Sequence, residues 1–205
     1  MGLYRRFIAW SMAAGDATQE RIYGALKREL FAGLAGTVLE IGPGSGVNLP
    51  WMPAEVEWIG AEPNPHMHRY IREKAEHLGR SIRLLSDSAG ALSLPDASVD
   101  AVVSTLVLCS VPDQDAALRE MRRVLRPGGR FVFIEHVAAE AGRLRAIQRS
   151  IKPFWRIIGD GCCPDWDTGS RIQAAGFASV DLVPFEAALP IPIVRPHVRG
   201  IAINP

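Results

Sequence analysis

Apolar positions along the chain recur at two periods, one helical and one extended. From Gln19 to Phe31, the residues Ile22, Tyr23, Leu26, Leu30 and Phe31 fall three and four apart, the stripe of an amphipathic helix, and Gly33 supplies its stop. Short apolar runs at Thr37–Ile41 and Val56–Ala61 predict strands, with a segment between them able to form a helix or turn. A helix is expected over Pro65–Leu78, a strand over Ile82–Leu85, and a longer strand over Val99–Leu108. That last run is apolar at nearly every residue, which marks a strand buried on both faces, as in a parallel sheet. Helical spacing returns over Gln114–Leu125 through Ala117, Leu118, Met121 and Leu125; Arg126-Pro127-Gly128-Gly129 ends it before a strand over Arg130–His136. Strands alternating with helices predict an open doubly wound α/β sheet whose ligands lie beyond the carboxyl ends of its strands. Residues 140–175 break the rhythm with Arg-rich and aromatic helical pieces around Gly159–Trp166. Two late strands follow, about Ser179–Phe185 and His197–Ile203, separated by the proline-rich Leu189–Pro196.

Composition narrows the picture. At 205 residues a second independent core would leave each half near the lower limit for folding alone, so one domain is expected. The 23 basic and 22 acidic side chains nearly cancel, which removes the strong field that non-specific nucleic-acid binding needs. Cys109, Cys162 and Cys163 show no zinc-like pairs of pairs, so no metal site is expected, and an odd number of thiols fits a reduced cytoplasmic setting. No apolar run approaches the roughly 20 residues of a spanning helix. Arg5-Arg6 followed by Phe7-Ile8-Ala9-Trp10 is too short for a signal-peptide core and its cleavage site.

Chemistry enters at Val38-Leu39-Glu40-Ile41-Gly42-Pro43-Gly44-Ser45-Gly46, a strand running into three alternate glycines that let a ligand press against the backbone. The loop lacks the Gly-Lys-Ser/Thr of a Walker phosphate cradle, and Val47 stands where the dinucleotide fingerprint needs its third glycine. Just past the second strand, Glu62 is placed to accept both hydroxyls of a ribose. Glu40 suits a bond to the loop backbone or to an ammonium group. Asp87, Ser88 and Ala89, after the third strand, form a polar turn able to read an adenine edge. Glycine loop, ribose acid and adenine turn thus occur in the order of successive strand ends.

From Thr37 to its C-terminus the chain resembles the class I S-adenosylmethionine-dependent methyltransferases, and more narrowly the alkyl-thiol methyltransferase family whose mammalian members are microsomal. The likeness is carried by Lys27-Arg28-Glu29-Leu30-Phe31, Glu62-Pro63-Asn64-Pro65, Thr105 to Val111, Arg123 to Gly129, Glu135-His136-Val137-Ala138, Asp160-Gly161-Cys162 and Arg195-Pro196-His197. The resemblance implies a Rossmann-like seven-stranded sheet with its last strand antiparallel and a helical acceptor-side insertion. It also implies S-adenosyl-L-methionine as cofactor, S-adenosyl-L-homocysteine as product, and Pro63 and Thr105 among the cofactor-binding residues. The family's common pattern places Asp at Ser88, whereas this chain has Asp87, so both are candidates.

The implied activity is methylation of the thiol of a small apolar acceptor. N-, O- or C-methylation of a lipid-like or secondary-metabolite acceptor is the alternative, and a non-enzymatic cofactor-binding module is a third reading. Transfer from a sulfonium to a thiolate cancels two charges, so a water-poor pocket and in-line placement matter more than many catalytic groups. Candidates on the acceptor side are Cys109 after the fourth strand, His136 ending the fifth, then Asp160, Cys162, Cys163 and His197. Phe154, Trp155, Trp166 and Phe177 read as a hydrophobic wall. Mammalian family members carry an N-terminal membrane anchor; here Leu3, Tyr4, Phe7, Ile8 and Trp10 around Arg5-Arg6 are expected to close over the cofactor, and peripheral membrane contact is the less favoured reading. Residues 1–33 would then be lid and helix, and residues 140–175 a helical cover.

Overall fold

The structure, a computed structural model, describes residues 2–205. Met1, which belongs to the expected lid segment, lies outside the described residues. Two helices open the chain, α1 (Gly2–Ala14) and α2 (Asp16–Phe31). There follow β1 (Thr37–Ile41), β2 (Glu57–Ala61), α3 (His68–His77), β3 (Ile82–Leu85), β4 (Val99–Thr105), α4 (Gln114–Val124) and β5 (Leu125–His136). The last part holds α5 (Gly142–Ile158), α6 (Thr168–Ala174), β6 (Ser179–Glu186) and β7 (Pro196–Ile203).

Seven strands form one sheet in the order β3-β2-β1-β4-β5-β7-β6. β1 pairs in parallel with both β2 and β4, so the chain reverses its winding between them and opens a crevice at their carboxyl ends. β7 runs antiparallel between β5 and β6. The expected seven-stranded sheet with its last strand antiparallel is present.

The two-residue alternation of strands shows directly in the packing. Leu39, Val102, Phe131 and Phe133 face one core with Leu118, Met121 and Ile172 of α4 and α6. Their neighbours Val38, Val103 and Val132 face a second core with Phe31 and Ile71 of α2 and α3. Both faces of the central strands are therefore covered, the reason that their sequence reads as unbroken apolar runs.

β5 starts at Leu125, so Arg126-Pro127-Gly128-Gly129, expected as a turn before the strand, lies within it. Three further features differ from the sequence reading. The fourth strand stops at Thr105 rather than Leu108, because Leu106 adopts a left-handed backbone (φ 60°) and Leu108–Ser110 form a single tight helical turn. The cause is Glu135, fully buried in β5: Ser104 Oγ donates to it at 2.5 Å, and the backbone N–H groups of Val107 and Leu108 at 3.3 and 3.0 Å. The chain turns where this carboxylate supplies acceptors that a continuing strand would have to find elsewhere. Second, α6, included in the expected cover, packs against α4, β5 and β6 and belongs to the sheet's own layer; the cover proper is α5 and the loop after it. Third, the aromatic wall divides: Phe177 stacks on Phe131 at the core, whereas Phe154 is exposed.

Burial pushes the Glu135 carboxyl up to about 7, against the hydrogen bonds that favour its charged form. Replacing it should free at least two buried N–H groups at once. Glu135→Ala is expected to cost about 2–4 kcal/mol of stability in urea unfolding, more than a single neutral hydrogen bond. A loss within the scatter of surface substitutions would show that the turn after β4 holds without it.

Candidate functional site

The glycine loop leaves β1 with Gly42, Gly44 and Gly46 all at positive φ (56°, 57° and 78°), a conformation costly for side chains with a Cβ. A Cβ on Gly44 would also lie 3.2 Å from the methyl of Met12, so α1 sits directly over the middle of the loop. Glu62, buried after β2, accepts from Gly44 N at 3.0 Å and from Asn64 N at 2.8 Å, one bond to each oxygen. Each oxygen keeps a lone pair, which is what two ribose hydroxyls require. Burial is the main reason its pKa rises to about 7, with the nearby charge of Asp160 adding to it and the two backbone bonds opposing it.

Of the two partners expected for Glu40, the loop backbone is not the one it bonds. One oxygen accepts from Asn48 Nδ2 at 2.8 Å and the other from Trp58 Nε1 at 2.9 Å, so its bonds go to side chains and none to the loop backbone. Asn48 also donates to Thr105 Oγ1 at 3.1 Å, while its own Oδ1 is buried and has no partner among the described residues. The fully buried Lys27 lies close enough for Glu40's charge to oppose the fall of its pKa, which burial brings to about 8. This polar cluster of Lys27, Glu40, Asn48, Trp58 and Thr105 lies beneath the start of the glycine loop, and the orphaned Asn48 oxygen is an acceptor suited to an ammonium group.

The adenine turn is only partly as expected. Asp87 accepts from both the backbone N and Oγ of Ser93 at 2.7 Å, so it closes its own loop. Ser88 pairs with Ala91, and Ala89 is buried. Pro63 is exposed between the two bonded residues Glu62 and Asn64.

On the acceptor side the structure brings together three side chains from distant parts of the sequence. Cys109 lies in the turn after β4, His136 ends β5, and Cys162 follows α5. One ligating atom of each lies within 4.8 Å of the other two, and Cys162 Sγ is 3.6 Å from His136 Nδ1. The 159–163 turn is pinned by the Cys163 N–H donating to the Cys109 carbonyl at 2.8 Å, which delivers Cys162 to Cys109. The neighbouring Cys109 and His136 side chains lower the Cys162 pKa against the opposing effect of burial, while Cys162 and burial push Cys109 up. Cys162 and Cys163 offered no metal-ligand spacing in the sequence; folding supplies the grouping that spacing did not.

Asp160 occupies a left-handed turn (φ 49°) near Tyr4 and Glu62, whose pKa values its charge raises in addition to burial. It therefore stands between the two halves of the site. His197, a candidate catalytic residue by sequence, is a structural one: its Nδ1 bonds the Arg195 carbonyl at 2.8 Å and its Nε2 meets Tyr23 Oη at 2.9 Å. The carbonyl can only accept, so Nδ1 carries the proton and Nε2 accepts from Tyr23. Burial lowers its pKa to about 4.

Sequence reasoning did not single out Asn48, Trp58 or Glu135 as residues organising the site, and Lys27 entered only as part of a matching segment. Their role depends on a buried charge finding partners across strands, which periodicity does not report. Elsewhere, a cleft of about 310 Å³ lined by Leu34, Asp100 and Arg130 opens at the amino ends of the strands, away from this chemistry.

If Glu62 holds the ribose, its raised pKa should make cofactor binding depend on pH. Protonated Glu62 has one acceptor oxygen fewer, so affinity for S-adenosyl-L-homocysteine should rise with pH through about 7 in calorimetric titration. Glu62→Gln should bind more weakly by about 1–3 kcal/mol and lose that dependence. Unchanged affinity in the variant would remove Glu62 from the site.

Comparison with known proteins agrees with this geometry. The methyltransferase domain family matches residues 39–133. Human thiol S-methyltransferase TMT1A is 38% identical over 190 residues, covering 87% of this chain and 78% of the relative. Human thiol S-methyltransferase TMT1B is 35% identical over 214 residues, covering 98% and 88%. Among solved structures, a SAM-dependent methyltransferase from Thermotoga maritima, described as a possible histamine N-methyltransferase, superposes with a TM-score of 0.71 at 19% identity over the whole of both chains, a likeness of fold. S-adenosylmethionine is accordingly the cofactor, and the chain belongs to the thiol S-methyltransferase family of S-adenosylmethionine-dependent methyltransferases.

Proposed function

We propose that the chain methylates the thiol of a small apolar acceptor. The observation that carries this reading is the buried imidazole and thiol grouping of His136, Cys109 and Cys162 at the carboxyl ends of β4 and β5, where the crevice of a doubly wound sheet receives its second substrate. Soft, weakly hydrated donors of this kind suit a sulfur nucleophile better than a strongly hydrated amine or phosphate. The cofactor supplies an electrophilic methyl group on a sulfonium. The chain's own residues then hold the ribose at Glu62, leave the loop backbone open at Gly44, and keep water away from the reacting sulfur. The acceptor thiol would give up its proton to solvent, and the thiolate would form its sulfur–methyl bond as the sulfonium–methyl bond breaks, so opposite charges cancel and a water-poor site lowers the barrier. Membership of an enzyme family sets aside the non-enzymatic module.

Exclusion of water falls to α1 in this reading. The Tyr4 hydroxyl donates to the Ile157 carbonyl of α5 at 2.8 Å, the Arg5 carbonyl accepts from Asn64 Nδ2 at 3.1 Å, and Met12 covers Gly44. Asp16, where α2 begins, accepts from Ser45 Oγ and pairs with Lys74 at 2.6 Å. The helix thus spans the cofactor side and the cover, as a lid should. Its outer face leaves Leu3, Phe7 and Trp10 exposed, and Phe154, Ile157 and Ile158 of α5 are exposed as well. That apolar surface is what favours the second reading, a lipid-like acceptor approached at a membrane surface. No helix among the described residues is long and apolar enough to cross a membrane. Small-molecule acceptors, a cytoplasmic setting for the three free thiols, and no nucleic-acid partner complete the proposal.

A screen of labelled methyl transfer to small alkyl thiols, phenols, amines and phospholipids tests it, with product expected from the thiols. Turnover confined to phospholipids or amines would replace the thiol reading. Removal of residues 2–12, which also takes Ile8 and Ala9 out of the second core, should weaken cofactor binding at least about 10-fold in a chain shown by circular dichroism to stay folded. Full affinity in the truncated chain, with loss of liposome binding, would instead make α1 a membrane contact.

A further inference from the structure

The grouping of Cys109, His136 and Cys162 has the composition and spacing of a metal centre. Two cysteine sulfurs and one imidazole nitrogen are the ligand set of a zinc site that keeps a fourth position open. Their reactive atoms converge within 4.8 Å, and the separation of Cys162 Sγ from His136 Nδ1 is 3.6 Å. A tetrahedral ion at about 2.3 Å from sulfur and about 2.1 Å from nitrogen places those two atoms about 3.6 Å apart.

The surroundings of His136 point the same way. Its other nitrogen, Nε2, lies 3.2 Å from the Ile193 carbonyl, which also accepts from Gln148 Nε2 at 2.8 Å. A carbonyl can only accept, so the ring proton sits on Nε2 and Nδ1 is left as an acceptor 3.6 Å from Cys162 Sγ, with Cys109 Sγ within 4.8 Å. Backbone carbonyls fix metal-binding histidines in this manner. Gln148 is itself fully buried and held by the Ala139 N–H at 2.8 Å, so the orienting carbonyl is braced from the cover helix. Cys109 and His136 are buried while Cys162 is half-buried, which gives the cluster one approach from outside, along the Cys162 side.

We propose that Cys109, His136 and Cys162 bind one thiophilic divalent cation, zinc by ligand set, with the fourth position open to a small exchangeable ligand. Each bound sulfur is a thiolate, and any proton it carried passes to solvent on binding. The ion neutralises the two thiolates and leaves the fourth position to water or, on the thiol-methylation reading, to the sulfur of the acceptor. Only that last assignment rests on the proposed activity; the site itself does not. Cys163 is not part of it, since its Sγ is directed to the Gly161 carbonyl at 3.5 Å.

The test uses the full chain under reducing conditions, stripped of metal, without cofactor or acceptor. Titration with Cd2+ should give a cadmium–thiolate ultraviolet band saturating at one ion per chain, and Zn2+ should displace it. Cys109→Ser, Cys162→Ser and His136→Gln should each weaken binding at least about 10-fold, while Cys163→Ser binds as the parent chain does. Should a ligand variant fail to fold, the parent chain still decides the matter. Cd2+ should then protect Cys162 from iodoacetamide, read by peptide mass spectrometry. No stoichiometric band, unprotected Cys162, or equal binding by the Cys163 and ligand variants would overturn the site. Thiol turnover by a chain that binds no cation would overturn the site and leave the thiol reading standing. Stoichiometric binding with turnover only on other acceptors would do the reverse.

Discussion

Buried carboxylates at the carboxyl ends of the strands tie the loops of the site to the sheet. Glu40 near the end of β1, Glu62 just after β2 and Glu135 near the end of β5 each receive hydrogen bonds on both oxygens. A carboxylate taken out of water is tolerated only where donors replace the lost hydration, so each one fixes the chain segments that supply them. For Glu62 these are the glycine loop and Asn64; for Glu135 they are the turn carrying Cys109 and the end of β4. The sheet determines where these acids stand, and the acids determine where the loops go.

This arrangement divides the site into two halves with different chemistry. The half built by β1 and β2 presents backbone, carboxylate and amide groups, the chemistry that the proposed reading gives to the ribose and amino-acid parts of the cofactor. The half built by β4, β5 and the end of α5 presents sulfur and imidazole. α1 reaches both, through Met12 over Gly44 and Tyr4 on Ile157, and Asp160 lies where the halves meet. A charge-cancelling transfer would gain from such a layout, with polar contacts on the parts of the cofactor that do not react and the reacting sulfur kept from water.

Much of the fold was legible because its main signals are local. Short apolar runs marked β1, β2, β4 and β5, and alternate glycines marked the loop after β1, where all three have positive φ. Where the reading fell short, a longer-range interaction had decided the outcome. The Val99–Leu108 run ends at Thr105 although its apolar character continues, because Glu135 from another strand captures the N–H groups of Val107 and Leu108. α6 was grouped with the cover since the sequence shows only that the rhythm changes, not which pieces return to the sheet. For His197, polarity at a strand end suggested chemistry, and only the Tyr23 hydroxyl and Arg195 carbonyl assign both ring nitrogens to structure.

The sequence by itself determined the order of strands and helices, the glycine loop, the acid that follows it and, through its matching segments, the family. These are properties of residues adjacent in the chain or set by backbone period, and they survive without coordinates. Tertiary structure alone decided that Glu40 bonds to Trp58 and Asn48, that Asp87 closes its own loop on Ser93, and that Cys109, His136 and Cys162 share one place. The physical reason is the same in each case. A buried polar group must find its partner in space, and that partner is chosen by how strands and helices are laid beside one another rather than by distance along the chain.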